Sequence, residues 1–139
     1  MPLKIHLRKG DRLLLNGTVM RSTCKSELVI ERPAVRLMYG KMVLEPEKAT
    51  TTLLQLYEAL QNAYAGESDE ELRVTWINKI PRLITDIRRA TNDAELTVTL
   101  EDMEEELEAG KLYPALGLLY RFFQTRGIDF PVWRNLNDW

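Results

Sequence analysis

The spacing of apolar residues changes once along the chain, close to residue 45. In residues 3–44 apolar and polar side chains alternate in short runs, which is the pattern of half-buried strands. After residue 52 the apolar residues recur every third or fourth position, as in amphipathic helices. Pro46 stands between the two patterns and cannot donate to a strand ladder. The sequence therefore predicts a β unit followed by an α unit.

The β unit is predicted to contain about five short antiparallel strands. Asn16-Gly17 is the strongest hairpin signal, because a type I′ turn needs a positive φ at both central residues. Polar, glycine-containing or proline-containing stretches separate the other strands. The predicted strands span residues 3–7, 12–15, 18–21, 27–31 and 34–38, with a last short strand at residues 42–44.

Four helices are predicted in the α unit. Thr52 with Gln55, and Ser68 with Glu71, have the spacing of a capping box at a helix start. The helices are expected at residues 53–65, from residue 68 with a kink or break at Pro81, from near Asn92 to Gly110, and at residues 112–126. The predicted fold class is α+β, a small antiparallel β unit followed by a four-helix bundle.

Charge is divided unevenly between the two units. The 139 residues carry a net charge of −2. Residues 1–50 contain ten Lys or Arg against five Asp or Glu, whereas residues 51–139 contain nine against sixteen. We predict one domain over residues 1–139, with a basic, β-rich unit at 1–45 and a helical unit with an apolar tail at 46–139.

The sequence offers little material for catalysis. The single histidine, His6, has no neighbouring carboxylate, thiol or imidazole, and Cys24 is the only cysteine. We therefore predict no enzyme activity, no metal and no cofactor. The first ten residues lack the apolar core of a signal peptide, and no stretch approaches the ~20 apolar residues that span a bilayer. The expected location is the cytoplasm, without membrane binding.

A row of cationic side chains follows the first predicted strand. Lys4, His6 and Arg8 share one face at steps of about 6.6 Å, close to the phosphate spacing of an extended single strand. Single-strand binders usually add aromatic stacking platforms, and the basic half has only Tyr39. The alternative is a solvated sheet face with Glu27 or Glu31 as counter-charge. The residues expected to contact RNA are Lys4, His6, Arg8, Lys9, Arg12, Arg21, Lys25 and Tyr39.

Arg12 and Arg21 face each other in the register that the Asn16-Gly17 turn fixes. Like charges in direct opposition are unfavourable by some tenths of a kcal/mol unless an anion lies between them. A planar guanidinium fork suits phosphate, so a bridging phosphate is one interpretation of this pair, and a counter-charge from Glu27 or Glu31 is the other.

The α unit holds a dense acidic run at residues 101–108 and ends in an apolar tail at residues 128–139. The run is interpreted as a solvated helix face, a docking surface for a basic partner, or a cover over the basic sheet. The tail is expected to dock on the helical bundle or on a second copy of the chain. The residues proposed for protein contacts are Glu101, Glu104, Glu105, Glu108, Trp133 and Trp139.

Several short segments together resemble one protein family. They are Met1-Pro2-Leu3-Lys4, Leu15-Asn16-Gly17-Thr18-Val19 and Leu44-Glu45-Pro46-Glu47-Lys48-Ala49-Thr50-Thr51, with weaker likeness at Gln55-Leu56-Tyr57 and over residues 110–120. These segments resemble the FlbT family of bacterial regulators of flagellum biosynthesis. None of them is a catalytic signature.

The resemblance implies a function in post-transcriptional regulation. It implies a regulator of flagellin synthesis that associates with the 5′ untranslated region of flagellin mRNA and affects its translation or decay. The implied partners are the flagellin mRNA leader and a FlaF-like flagellar regulator or flagellin. Whether the chain forms a homo-oligomer is left open. The alternative is a protein-binding module, either a flagellin or export chaperone or an adaptor without direct RNA contact.

Overall fold

A computed structural model of the chain describes residues 2–31, 36–45 and 48–127 and confirms the α+β fold. Five strands come first in the described residues, and four α-helices follow them. The strands are β1 (Leu3–Leu7), β2 (Arg12–Leu15), β3 (Thr18–Arg21), β4 (Ser26–Ile30) and β5 (Leu37–Tyr39). The helices are α1 (Thr52–Gln61), α2 (Glu70–Ala90), α3 (Ala94–Glu108) and α4 (Leu112–Thr125).

The strands form two antiparallel sheets. One has the order β3-β2-β5, and the other consists of β1 and β4. Asn16 and Gly17 join β2 to β3 with φ of 48° and 84°, as the predicted type I′ turn requires. The hairpin register is also as predicted, with Leu14 opposite Val19. We call these sheets the three-stranded sheet and the two-stranded sheet.

The main core lies between the three-stranded sheet and the helices. Leu14 of β2 and Met38 of β5 are the strand residues in it, and both are buried. Ile5, Leu7 and Leu13 are also buried but lie outside this main core. The helices and the segment before them supply the other large, fully buried side chains: Leu44, Leu56, Tyr57, Leu60, Leu100, Met103, Leu116, Leu119 and Phe123.

A buried amide joins the segment before α1 to the helix itself. Gln61 is only 2% exposed. Its Oε1 accepts from the backbone N–H of Leu44 at 2.7 Å, and its Nε2 donates to the Leu44 carbonyl at 2.8 Å. The Tyr57 hydroxyl donates to the carbonyl of Met42. These bonds satisfy buried backbone groups that belong to no sheet.

A π-helical turn at Asn62–Gly66 continues α1 and binds the hairpin tip. The carbonyl of Ala65 accepts from the backbone N–H of Gly17 at 2.8 Å. The Ala63 carbonyl accepts from Nε of Arg73 in α2 at 2.7 Å. Because these carbonyls lie in the last turn before the helix ends at Gly66, they have no partner within the helix and are available to donors outside it. The hairpin is therefore attached directly to the helical unit.

Three helix starts differ from the prediction by one residue. The observed caps are Thr51, Asp69 and Asp93, in place of the predicted Thr52, Ser68 and Asn92. The two aspartates each accept from two backbone N–H groups at 2.9–3.2 Å. A carboxylate forms stronger bonds to these amides than a neutral cap and also interacts favourably with the helix dipole.

A further local prediction was wrong, and one of the two alternatives predicted at Pro81, a break of the helix, is excluded. Residues 42–44 form no strand; a 3-10 turn at Gly40–Met42 leads directly into the segment bonded to Gln61. Pro81 does not split α2, which runs unbroken from Glu70 to Ala90. Ile80 and Ile84 are buried on either side of this proline, so core packing holds both halves in one helix. No helix among the described residues is long and apolar enough to cross a membrane.

Candidate nucleic-acid interface

The open face of the two-stranded sheet presents the predicted cationic row. Lys4, His6 and Arg8 are exposed, whereas Ile5 and Leu7 between them are buried. His6 lies opposite Glu27 of β4, and its Nδ1 is 3.4 Å from Glu27 Oε2. Glu27 therefore offers a counter-charge to His6, as the solvated-face alternative anticipates.

A shallow cleft of about 640 Å³ runs along this sheet near the end of β1. Its lining residues are His6, Leu7, Arg8, Asp11, Lys25, Ser26 and Glu27. The cleft thus brings together Arg8, which follows β1, and Lys25, which precedes β4. The carboxylates of Asp11 and Glu27 lie beside them. Within the described part of the chain, no ion pair involves Lys4, Arg8, Lys9 or Lys25. These four cations remain accessible to an external anion.

Arg12 and Arg21 have a different environment. They face each other as predicted, but Glu45 lies between them. Glu45 Oε1 forms an ion pair with Arg12 and lies 3.4 Å from Arg21 Nη2. The Arg12 and Glu45 side chains are each only 12% exposed. The anion at this position is thus a carboxylate of the chain, supplied by neither Glu27 nor Glu31, and a phosphate would have to displace it.

Tyr39 lies in an aromatic cleft that the sequence did not reveal. This tyrosine cleft has a volume of about 400 Å³ and is lined by Leu3, Leu37, Met38, Tyr39, Met42, Tyr64 and Tyr113. The rings of Tyr64 and Tyr113 are 5.0 Å apart, and the Tyr113 hydroxyl is 3.7 Å from the Met42 sulfur. Burial raises the pKa of Tyr113, and the nearby Tyr64 and Tyr39 raise it further. The three phenols therefore form one cluster.

The acidic run lies on α3, which packs chiefly against α4. Glu104 forms an ion pair with Arg88 of α2. Glu101, Glu105 and Glu108 are exposed. The ion pair described for the acidic run therefore joins α3 to α2. Trp133 and Trp139 lie outside the described residues, as does the whole predicted tail.

The described residues also show the surroundings of the two potential reactive groups. Cys24 is exposed and lies near Ser22 and Ser26 in the β3–β4 connection. His6 has its contact with Glu27. Across residues 2–31, 36–45 and 48–127, no group of three or more His, Cys, Asp or Glu side chains could hold a metal ion.

Sequence reasoning missed Glu45, Tyr64 and Tyr113 because each acts on residues far away in the chain. Glu45 is 24 residues from Arg21, and Tyr113 is 71 residues from Met42. Local spacing cannot signal such contacts. The one available signal was that Glu45 follows the apolar pair Val43-Leu44 at the junction of the two units.

Comparison with known proteins identifies relatives over most of the chain. Residues 3–126 match the family described as "Flagellar protein FlbT". A "Probable flagellum biosynthesis repressor protein FlbT" of Brucella anthropi is 28% identical over 135 residues, which cover 94% of this chain and 86% of that protein. The protein of the same name from Brucella ovis is 30% identical over 115 residues, covering 82% and 72% respectively. No solved structure gives a significant match.

These matches are to flagellar proteins, and the family match extends over all five strands and all four helices of the described fold. The chain belongs to the FlbT family.

Proposed function

We propose that this chain is a non-enzymatic repressor of flagellum biosynthesis that binds the 5′ untranslated region of flagellin mRNA in the cytoplasm. Binding there would reduce translation of the message or hasten its decay. The relatives' names, which describe probable flagellum biosynthesis repressors, support the repressor role. The RNA-binding mechanism rests on the β unit.

The observation that carries the RNA mechanism is the group of accessible cations on the two-stranded sheet. Lys4, Arg8, Lys9 and Lys25 are exposed and form no ion pair within the described residues. They lie along one strand, the turn after it and the start of the neighbouring strand. An RNA backbone binds such a row by neutralising phosphates and releasing counterions.

Asp11 and Glu27 border the same cleft, which limits its net positive charge. The surface therefore suits a weak, salt-sensitive contact with a few phosphates rather than a deep electrostatic channel. Phosphate contacts of this type give affinity and position but do not read sequence. Sequence preference needs an additional contact to the bases.

Titration of a fluorescent flagellin leader RNA at two salt concentrations tests the mechanism. The triple variant Lys4→Gln, Arg8→Gln, Lys25→Gln should bind the RNA more weakly. The slope of log affinity against log salt should fall by up to about 2, since each neutralised phosphate of a single strand contributes about 0.7 to that slope.

The matched control removes three exposed cations from the helical unit. Arg89→Gln, Lys111→Gln, Arg121→Gln changes the net charge by the same amount, and none of these residues forms an ion pair in the described part of the chain. It should keep both the affinity and the salt slope. If the two variants lost affinity for the RNA equally, the loss would be due to the more negative net charge alone. That result would contradict an RNA site on the β unit.

A protein-binding module is the second candidate, and the open strand edges favour it. β3 pairs only with β2, and β4 only with β1, among the described strands. Val19 and Met20 of β3 and Leu28 and Val29 of β4 are exposed apolar residues. An open apolar edge can accept an extended strand of a partner such as flagellin. Co-elution of flagellin with the chain, abolished in Val29→Lys but kept in the Lys4/Arg8/Lys25 triple variant, would support this candidate.

A further inference from the structure

The tyrosine cleft combines residues from both units of the fold. Tyr39 ends β5, Tyr64 lies in the π-helical turn, and Tyr113 lies in the first turn of α4. Tyr39 and Tyr113 are 38% and 43% exposed. Ligand sites are typically concave and lined by apolar and aromatic side chains with a few polar groups, which is the composition of this cleft.

We infer that the tyrosine cleft is a subsite for an unpaired nucleobase of bound RNA. This inference rests on the proposed function, and it supplies the contact to the bases that the cationic row lacks. The ligand class is a single-stranded ribonucleotide with an unstacked base, held by stacking on tyrosine.

The size and lining of the cleft fit a flat ring. Its volume of about 400 Å³ lies within the range of roughly 300–1,000 Å³ typical of small-ligand sites. Leu3, Leu37 and Met42 provide apolar walls beside the three phenols. Every base has a π-face that stacks on an aromatic ring, so such a site accepts bases without a strict sequence requirement.

The phenols can also contact the edge of a base. A tyrosine hydroxyl both donates and accepts hydrogen bonds, which suits the mixed donors and acceptors of a base edge. Tyr113 is protonated near neutral pH, as an ordinary tyrosine is, and burial and its two neighbours raise its pKa further. An uncharged phenol does not repel the phosphate that accompanies the base.

The described lining of the cleft carries no charged side chain, so it does not repel the phosphates of a nucleotide. Two exposed lysines flank its lining in the chain: Lys4 follows Leu3, and Lys41 precedes Met42. Lys4 also belongs to the cationic row of β1. Lys4 and Leu3 stand on opposite faces of β1, so an RNA strand bound along the cationic row reaches the cleft by passing around the edge of β1 and stacks its base on the exposed side of a tyrosine ring.

Two RNA probes of equal length separate stacking from charge. One is a single-stranded leader RNA, and the other is its abasic ribose-phosphate analogue, each followed by fluorescence anisotropy. Wild-type protein should bind the base-containing RNA more tightly. Tyr113→Leu should weaken that binding roughly 5-fold to 100-fold, the range expected when one base no longer stacks. It should leave the abasic affinity and the salt slope unchanged.

Tyr113→Phe is the matched control, because it keeps the ring and removes only the hydroxyl. It should keep most of the affinity that Tyr113→Leu loses. Tyr39→Leu provides a second variant at an exposed position, and melting curves establish that each variant is folded.

The outcomes separate the subsite from the proposed function. Failure of wild-type protein to bind either RNA rejects both. Binding of wild-type protein with equal affinity for the two RNAs, or a Tyr113→Leu variant that binds the leader RNA like wild type, rejects the subsite alone. In that case the cleft does not bind a base and would instead accept an apolar side chain of a protein partner. The cationic row would remain as the RNA contact.

Discussion

The three-stranded sheet and the two-stranded sheet differ in how they are attached and in what their cations contact. The three-stranded sheet contributes Leu14 and Met38 to the main core, and its hairpin tip bonds to the π-helical turn. Its arginines share the internal carboxylate Glu45. The two-stranded sheet contributes no residue to the main core, and its row of cations faces solvent.

This difference shows that a cationic residue is informative about function only once its counter-ion is known. Arg12 and Lys4 look alike in sequence, since each lies on a short strand of the same basic unit. A buried guanidinium requires a fixed anion, whereas an exposed ammonium keeps its water and can exchange it for a phosphate. The prediction that Arg12 and Arg21 contact RNA therefore has a structural competitor, which Lys4 and Arg8 lack among the described residues.

Among changes that test the difference between the two sheets, Glu45→Gln is expected to lower the free energy of unfolding most. This change removes the carboxylate shared by Arg12 and Arg21 while keeping the shape of the side chain. Breaking a buried ion pair by removing one partner costs about 3–5 kcal/mol. Urea denaturation followed by circular dichroism should show a free energy of unfolding lower by about that amount.

A double variant provides the control for Glu45→Gln. Arg12→Met, Glu45→Met removes both charges, and it should recover most of the stability, because replacing a buried pair with apolar residues is often neutral. A decrease below about 1 kcal/mol in Glu45→Gln would contradict the structural role and reopen Arg12 and Arg21 as a phosphate clamp.

Gly17→Ala should have the next largest effect, because it breaks the attachment of the hairpin tip. An L-residue at φ +84° is strained, and the added Cβ would lie 2.8 Å from the backbone N and the Cβ of Ser68. Gly40→Ala is a matched control, since its φ is +76° and a Cβ there meets no atom within 4 Å. Urea denaturation should show that the free energy of unfolding of Gly17→Ala is about 1–3 kcal/mol lower than that of Gly40→Ala. Equal destabilisation would mean that only the turn conformation matters.

The smallest effect is expected from Glu27→Gln in the two-stranded sheet. It is the same chemical change as Glu45→Gln, but the carboxylate is half-exposed and its partner His6 is mostly exposed. Exposed ion pairs contribute about 0–1 kcal/mol, so unfolding should shift by no more than about 0.5 kcal/mol. A destabilisation that approaches that of Glu45→Gln would erase the distinction between the two sheets.

The parts of the fold that follow from local spacing could be predicted from the sequence. Alternation located β1, and the Asn16-Gly17 turn fixed both the hairpin and its register. Helical periodicity located four helices, although their caps differ by one residue because adjacent polar residues compete for that position. Residues 42–44 were misread as a strand, since alternation cannot distinguish strand pairing from bonding to a buried side chain such as Gln61.

The candidate site was less predictable because its decisive contacts join distant segments. The exposure of Lys4, His6 and Arg8 follows from alternation on one strand. The carboxylate beside Arg12 and the two tyrosines beside Tyr39 do not, since they come from elements later in the chain. Tertiary packing alone determines which cations are neutralised and which aromatic rings form a cleft.

The bond between Gly17 and Ala65 also has a consequence for the order of events during synthesis. The hairpin of β2 and β3 can pair as soon as its own residues have left the ribosome, because that pairing is local. Its tip can bond to Arg36 before the helices are made, but it cannot attach to the helical unit until the π-helical turn exists, since the acceptor there is the carbonyl of Ala65. A nascent chain halted inside α1 would therefore hold a hairpin without its dock, with the apolar face of Leu14 still open to solvent or to a chaperone.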